Sequence, residues 1–283
     1  MYRLPLEQWV NIVVDWLIKY FGSTFDAFSD FLFIIADSLR DGLEFLPWYI
    51  IILIFALLAL RAKGWQLALG TTIGLFLIYN LTLWSSFLDT LILVLLASFI
   101  SLAIGIPLGI LAARSDTFHK LLSPVLDFMQ TMPSFVYLIP ALMFFGLGTV
   151  SAIFATVIFA MPPVIRLTDL GIRQVPTDLI EVGEAFGSSS GQMLWKIQLP
   201  LALPTIMAGI NQTMMLSLSM VVISSMIGAR GLGAGVLASI AQMDIGKGFE
   251  YGLAVVILAM ILDRLSQGVA RNSRAVIKNT TKK

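Results

Sequence analysis

The run Phe87-Leu-Asp-Thr-Leu-Ile-Leu-Val-Leu-Leu-Ala-Ser-Phe-Ile-Ser-Leu-Ala-Ile-Gly-Ile-Pro-Leu-Gly-Ile-Leu-Ala-Ala113 carries one charge, Asp89, near its start. A helix advances about 1.5 Å per residue, so about 20 apolar residues cross a hydrocarbon core about 30 Å thick. This run exceeds that length. Outward from it, further apolar runs lie near 47–61, 65–84, 121–147, 149–168, 203–227 and 249–268. The chain of 283 residues is 58% hydrophobic and only 12% charged, about half the charge that keeps a soluble domain wet. The expectation is an all-α polytopic membrane protein with about seven transmembrane helices.

Loops next to the spans on the cytoplasmic side collect Lys and Arg. Assigning the loops to alternate sides groups Arg61, Lys63, Arg114, Lys120, Arg166, Arg173, Lys196, Arg264, Arg271, Arg274, Lys278, Lys282 and Lys283, thirteen of the 18 basic residues. The opposite loops hold only Arg230 and Lys247. The larger group marks the cytoplasm of a multi-pass protein in the cell (inner or plasma) membrane. That puts the C-terminus inside and, with seven spans, the N-terminus outside.

Residues 5–45 are too interrupted by acids to span, with Glu7, Asp15, Asp26, Asp30, Asp37, Asp41 and Glu44 all in this segment. A signal peptide is not expected, since Asp15 breaks the early apolar stretch and no small-residue cleavage site is evident. Trp9, Ile12, Val13, Trp16, Leu17 and Tyr20 recur at three and four residues and share one helical stripe. The favoured reading is an amphipathic helix on the outer membrane surface; a scaffold helix packed on the bundle is the other. The expected organisation is this extracellular segment over 1–46, two accessory helices over 47–84, a core over 85–268 with an inner connection at 169–202, and a basic tail over 269–283.

The composition excludes much chemistry. With no cysteine and one histidine, disulfide frameworks, thiol nucleophiles and Cys/His metal sites are ruled out, and no metal site is expected. A net charge of +1 offers no bulk attraction to nucleic acid. The acids Asp89, Asp127, Asp169 and Asp263 sit near span ends, so no charge relay at membrane depth is visible for a self-powered carrier. The chain's Gly-Lys pair, Gly246-Lys247, is followed by Gly248 and forms no phosphate-cradling loop. The chain is therefore not expected to be an enzyme or to hold a cofactor. His119, beside Lys120, is expected to be a solvated loop residue. Gly228, Gly231, Gly233 and Gly235 follow a span rather than a strand and predict an outer turn or re-entrant bend.

The inner connection is unusually ordered for a loop. Asp178-Leu-Ile-Glu-Val-Gly-Glu-Ala-Phe-Gly187 predicts a short helix with acids near its N-terminus and a glycine at its end. Ser188 to Ser190 can cap a second helix over Gln192–Gln198 that stops before Pro200. Phe186, Met193 and Trp195 are expected to be exposed on this knob, which makes partner docking the preferred hypothesis.

These residues carry a resemblance. Glu181-Val-Gly183, then Gly187, then Ile197-Gln-Leu199-Pro200 is similar to the "EAA" loop of the membrane subunits of ATP-binding-cassette importers: Glu-Ala-Ala, three residues, Gly, nine residues, Ile-x-Leu-Pro. The departure is Val182 and Gly183 where two alanines are usual. The resemblance implies a type I importer permease whose residues 181–199 dock in a cleft of the ATPase, with Glu181, Gly183, Phe186, Gly187, Trp195, Ile197, Leu199 and Pro200 as the coupling set. Asp127 to Pro140, Phe159-Ala-Met-Pro-Pro163 and Asn211 to Met220 look like the permeases for glycine betaine, proline betaine and related quaternary amines. Implied with them are a second copy of the chain, two ATPase subunits that bind ATP and Mg, and an extracellular substrate-binding protein. The rival class is an ATP-independent osmotically gated channel or secondary carrier for small zwitterions.

Candidates for a pathway are weaker. Pro133 and Pro140 interrupt the fourth span and Pro162-Pro163 the fifth, as a pathway border or as packing kinks. Gln130, Thr131, Phe135 and Tyr137 lie at the first break, and the two rings present either a cation–π face for a trimethylammonium group or core packing. Thr213, Ser217 and Ser224 share one face, with Asn211 and Gln212 nearby, and either wet a channel or glue helices; glue is favoured. Gly105-Ile-Pro-Leu-Gly109 allows close helix approach. The basic tail orients the chain and attracts anionic membrane lipid, and ionic-strength sensing by it is a further possibility.

Overall fold

The structure, a computed structural model, describes the backbone of residues 5–280 and the side chains of Pro5 and of residues 7–268. Arg3, Arg271, Arg274, Lys278, Lys282 and Lys283, and with them the expectations for the basic tail, lie outside the described side chains. The described residues form α-helices with short 3-10 and π segments and no strand: α1 (Leu6–Phe45), α2 (Trp48–Lys63), α3 (Trp65–Asn80), α4 (Trp84–Arg114), α5 (Asp116–Thr131), α6 (Leu138–Phe145), α7 (Thr149–Ala160), α8 (Pro162–Arg173), α9 (Thr177–Ala185), α10 (Ser190–Met193), α11 (Leu199–Ser224), α12 (Leu232–Gln242) and α13 (Ile245–Thr280).

Four straight helical segments among the described residues are long and apolar enough to cross a membrane: Trp84–Arg114, Thr149–Arg173, Ser190–Ile227 and Ile245–Gly268. Two bent pairs raise the number to six, α1 with α2 at 101° and α5 with Ser134–Phe145 at 108°. This is fewer than the seven spans expected, for two reasons. α2 and α3 have 16 residues each, about 24 Å of helix, which is short of the core thickness. The expected fourth span turns sharply where Pro133 follows α5, because a residue ahead of proline is pushed out of the helical region and Met132 lies at ψ 137. Pro162 and Pro163 do not break the fifth span. They occupy the first two positions of α8, where no amide proton is needed, and α7 runs almost directly into it.

Packing centres on α4. Phe87, Leu88, Leu91, Val94 and Ala97 are buried with Ile153 of α7, Leu218 and Val221 of α11, and Leu258 and Ile261 of α13. Between α4 and α8 the close approach is made by Gly105 and Gly109: a Cβ on Gly109 would lie 2.6 Å from Thr168 Cβ and 2.7 Å from the Ile165 carbonyl oxygen. Such small-residue seams hold helices together in lipid, where van der Waals packing takes over from the hydrophobic effect.

α1 packs on the bundle as a scaffold along its second half only. Its first half leaves Trp9, Ile12, Val13, Trp16 and Tyr20 exposed. From Phe25 onward it docks: Phe25 lies 4.9 Å from Phe144 and 5.8 Å from Phe145 between ring centroids, and Leu32 and Ala36 are buried in the core.

Candidate coupling knob and translocation face

The segment between α8 and α11 folds as two helices around one elbow. Gly187, at φ +75, ends α9. The Gly187 amide donates to the Glu184 carbonyl at 2.8 Å and the Ser188 amide to the Gly183 carbonyl at 3.0 Å, the paired bonds of a Schellman ending. Ser189 then caps α10 reciprocally: its hydroxyl accepts from the Gln192 amide and its own amide donates to Gln192 Oε1 at 3.0 Å. The second helix does not stop before Pro200. α10 passes through a π turn over Leu194–Gln198 directly into α11, and Pro200 follows that turn, whose wider spacing accommodates a residue with no amide to donate.

Gly183 is where the two helices touch, since a Cβ there would meet Met193 Cε at 2.6 Å and Ile197 Cδ1 at 2.9 Å. Met193 is consequently only 6% exposed and not part of the displayed surface, contrary to expectation. Leu194 is buried and Leu199 packs with it against Ile106, Ile110 and Ala113 of α4 and Ile172 of α8. The knob is thus rooted in the bundle through Leu194 and Leu199, while Gly183, Met193 and Ile197 hold its two helices together and Pro200 is half-buried beside them. Glu181, Phe186 and Trp195 point away from it, the two rings 87% and 70% exposed.

The expectation for His119 is overturned. It lies in α5, half-buried, and its Nδ1 is 2.6 Å from Oδ2 of Asp169. Arg173 Nε donates to the other Asp169 oxygen at 2.8 Å, Nη1 to Asp116 at 2.6 Å and Nη2 to the Ala112 carbonyl at 2.7 Å. Four polar partners from α4, α5 and α8 therefore meet one residue ahead of the connection into the knob. Sequence reasoning missed this cluster, although Asp169 and Arg173 at a four-residue spacing spelled one leg of it.

The pathway candidates divide. Thr213, Ser217 and Ser224 are fully buried within the chain; Ser217 accepts from Ser98 of α4 at 3.1 Å and so glues two helices, whereas the Thr213 and Ser224 hydroxyls find no hydrogen-bond partner among the described residues. Asn211 is tied to α13: it donates to Asp263 at 3.2 Å and accepts from Ser266 at 2.5 Å. Tyr137 is buried against Phe159 with its hydroxyl donating to the Met129 carbonyl, so its ring face is closed to a passing ligand. Gln130, Thr131 and Phe135 are exposed. On α11 the open face is another stripe, Leu201, Ala208, Gln212, Met215 and Ser219, continued by Met226. Its steps of seven, four and three mark one helical side, a signal present in the sequence but chemically too mixed to stand out.

Among the described residues no cluster of three or more His, Asp or Glu side chains is placed to hold a metal. The fold and the knob define a class, the membrane permease of type I importers. The structure aligns with that of the MetNI methionine ABC transporter in inward facing conformations, with a TM-score of 0.61 at 21% identity over 65% of this chain and 93% of that one. Residues 105–274 match the model of the family described as binding-protein-dependent transport system inner membrane component, and the chain belongs to that family. It is 49% identical to the glycine betaine transport system permease protein OpuAB of Bacillus subtilis (strain 168), over 94% of this chain and 95% of that protein. It is 49% identical to the glycine betaine/carnitine transport permease protein GbuB of Listeria monocytogenes serotype 1/2a (strain 10403S), over 96% and 98%. With the glycine betaine/proline betaine transport system permease protein ProW of Escherichia coli (strain K12) it shares 48%, over 96% and 77%.

Proposed function

We propose that the protein forms the transmembrane pathway of an ATP-driven importer for glycine betaine or a related quaternary-amine osmoprotectant. It acts as a homodimer with two ATP-binding-cassette subunits, which bind ATP and Mg, and with an extracellular substrate-binding protein. Its C-terminus lies in the cytoplasm and its N-terminus outside, which requires the short helices α2 and α3 each to cross the membrane, with local thinning of the bilayer around them. The relatives' substrates support the choice of solute, and the basic residues gathered at the knob end of the bundle support the orientation.

The observation that carries the reading is the exposure of Phe186 and Trp195 on a knob rooted in the bundle. Rings so exposed are suited to anchor in a partner's cleft. Because Leu194 and Leu199 pack on α4 and α8, and the π turn passes without a gap into α11, a displacement of the knob moves α11 as a rigid body. The coupling set is Glu181, Gly183, Phe186, Gly187, Trp195, Ile197, Leu199 and Pro200, the first two rings making contact and the buried members transmitting. The open face of α11, with Gln130, Thr131 and Phe135, faces the second copy and lines the pathway. Thr213, Ser217, Ser224, Asn211 and Tyr137 hold that face in place.

The test is uptake of labelled glycine betaine into vesicles holding the reconstituted complex. ATP-dependent uptake is expected, with Glu181→Lys and Gly187→Val leaving ATP hydrolysis running while uptake falls at least tenfold. Unchanged uptake by both variants would remove the coupling role, and uptake by the chain without ATP or partners would establish the channel or carrier instead.

A further inference from the structure

At the end of the bundle opposite the knob, α1 closes over a cavity of about 360 Å³ whose walls include Phe33, Asp37, Arg40, Asp89, Ile92 and Arg230. Its frame is fixed: the Leu232 amide donates to Thr90 Oγ1 at 2.8 Å and the Gly148 amide to the Ile227 carbonyl at 2.9 Å. We propose that this cavity binds a zwitterion, a small head bearing one oxyanion and one ammonium or quaternary ammonium.

The argument is one of charge balance. Two carboxylates and two guanidinium groups line the space. Arg40 and Asp89 are taken up with each other at 3.3 Å, and Arg40 also holds Glu44 at 3.2 Å. Asp37 and Arg230 remain, and among the described residues neither makes a direct hydrogen bond or ion pair with a protein group: Asp37 acts on Arg40, and Arg230 on Asp89, only through longer-range attraction. The cavity thus offers one carboxylate and one guanidinium, both open to solvent and free to take a ligand. A simple ion can pair with only one of these two groups, whereas a zwitterion makes a charge-assisted contact with each. The ring of Phe33 adds a face that attracts a poorly hydrated cation, and Ala36 and Ile92 supply an apolar lining for methyl groups. The volume lies at the low end of the range for ligand pockets, which suits a small solute or a lipid headgroup.

This inference deepens the osmoprotectant reading, on which the choice of glycine betaine as probe rests. The complex, without its binding protein, is placed in nanodiscs of phosphatidylglycerol, and saturation transfer from protein to the betaine methyl protons is recorded by NMR. Saturable transfer is expected, with choline giving less than a tenth of it. Arg230→Gln and Asp37→Asn should each weaken apparent affinity about tenfold, and Arg230→Lys should retain most of it. Elution volume and thermal unfolding report whether each variant is folded. Repeating the measurement with phosphatidylethanolamine separates the two sources of this chemistry: loss of the betaine signal assigns the cavity to the lipid headgroup, persistence to the free solute. Absence of saturable transfer, equal transfer to choline, or unchanged affinity in folded Arg230→Gln and Asp37→Asn overturns the proposal. ATP-driven uptake is followed in the same preparations, so that uptake without transfer defeats the cavity alone and transfer without uptake defeats the importer reading alone.

Discussion

Nδ1 of His119 lies 2.6 Å from Oδ2 of Asp169, a contact that ties the first helix of the bent pair to the end of α8. Arg173 holds the second oxygen of the same carboxylate, so a buried Asp169 is satisfied from two sides. The whole cluster stands where α8 gives way to the knob. It ties α4, α5 and α8 together at that point.

Removing one leg of this cluster should cost less than removing its centre. A hydrogen bond to a charged group contributes about 1.5–3 kcal/mol, and the partial exposure of His119 places its share at the lower end. His119→Ala is expected to lower stability by about 1 kcal/mol. Arg173→Ala should cost about 2–3 kcal/mol, because it removes three contacts and leaves the Asp169 charge held by His119 alone. Thermal unfolding of the purified chain in detergent measures both, and equal losses would show that the cluster is not centred on Arg173.

Two glycine-to-alanine substitutions should differ sharply. At Gly231 the backbone lies at φ +116, and a Cβ would stand 2.4 Å from Thr90 Oγ1, the atom that accepts the Leu232 amide. Strain and the lost bond together should cost more than about 2 kcal/mol. At Gly183 the obstacles are the ends of Met193 and Ile197. The unbranched methionine swings aside at little cost, and alanine favours a helix over glycine by about 1 kcal/mol. Gly183→Ala, which restores the residue usual in importer coupling loops, is expected within about 1 kcal/mol of the parent. Parallel melting curves decide it.

The exposed rings of the knob give the opposite pattern, with function lost and stability kept. Phe186→Ser and Trp195→Ser touch no buried neighbour and should change stability by about 0.5 kcal/mol or less. As anchors in a partner they should each weaken ATPase association by about 2 kcal/mol, roughly thirtyfold. Co-purification at graded ATPase concentration measures the loss, and undiminished capture by both variants would move the docking surface elsewhere.

What was legible in the sequence follows from the range of the interaction concerned. The apolar runs, the break at Pro133 and the glycine ending of α9 depend on residues within a turn or two of one another, and each appears where its residues predict. The place of His119 is not legible, because its partner is fifty positions away and no local pattern brings α5 onto α8. Met193 was expected outside because an apolar residue in a loop looks displayed until a glycine, Gly183, opens a space for it. On α11 the serine and threonine stripe and the open Gln212, Met215 and Ser219 stripe are equally periodic. Which one faces inward is decided by the seam with α4, a choice made in three dimensions. α1 divides at Phe25 for the same reason, since nothing in its own periodicity announces Phe144 and Phe145.

The end of α12 carries an unusual residue for its geometry, and that yields a gain rather than a loss. The Met243 amide donates to the Ile240 carbonyl at 3.2 Å and the Asp244 amide to the Ser239 carbonyl at 2.9 Å, the same paired ending that Gly187 makes on α9. Here, however, the left-handed position at φ +55 is filled by methionine. A side chain in that region costs about 1 kcal/mol through contact between Cβ and the following carbonyl. Met243 recovers little of this by packing, being 89% exposed. Glycine removes the contact but widens the freedom of the unfolded chain, so the net gain for Met243→Gly is set at about 0.5–1 kcal/mol. Asparagine, which tolerates the left-handed region while restricting the unfolded chain more, should give a similar gain. For a chain of this size the expected rise in Tm is about 1–2 °C. Scanning calorimetry of the two variants beside the parent measures it, and a fall in both would show that Met243 is held by a contact outside the chain.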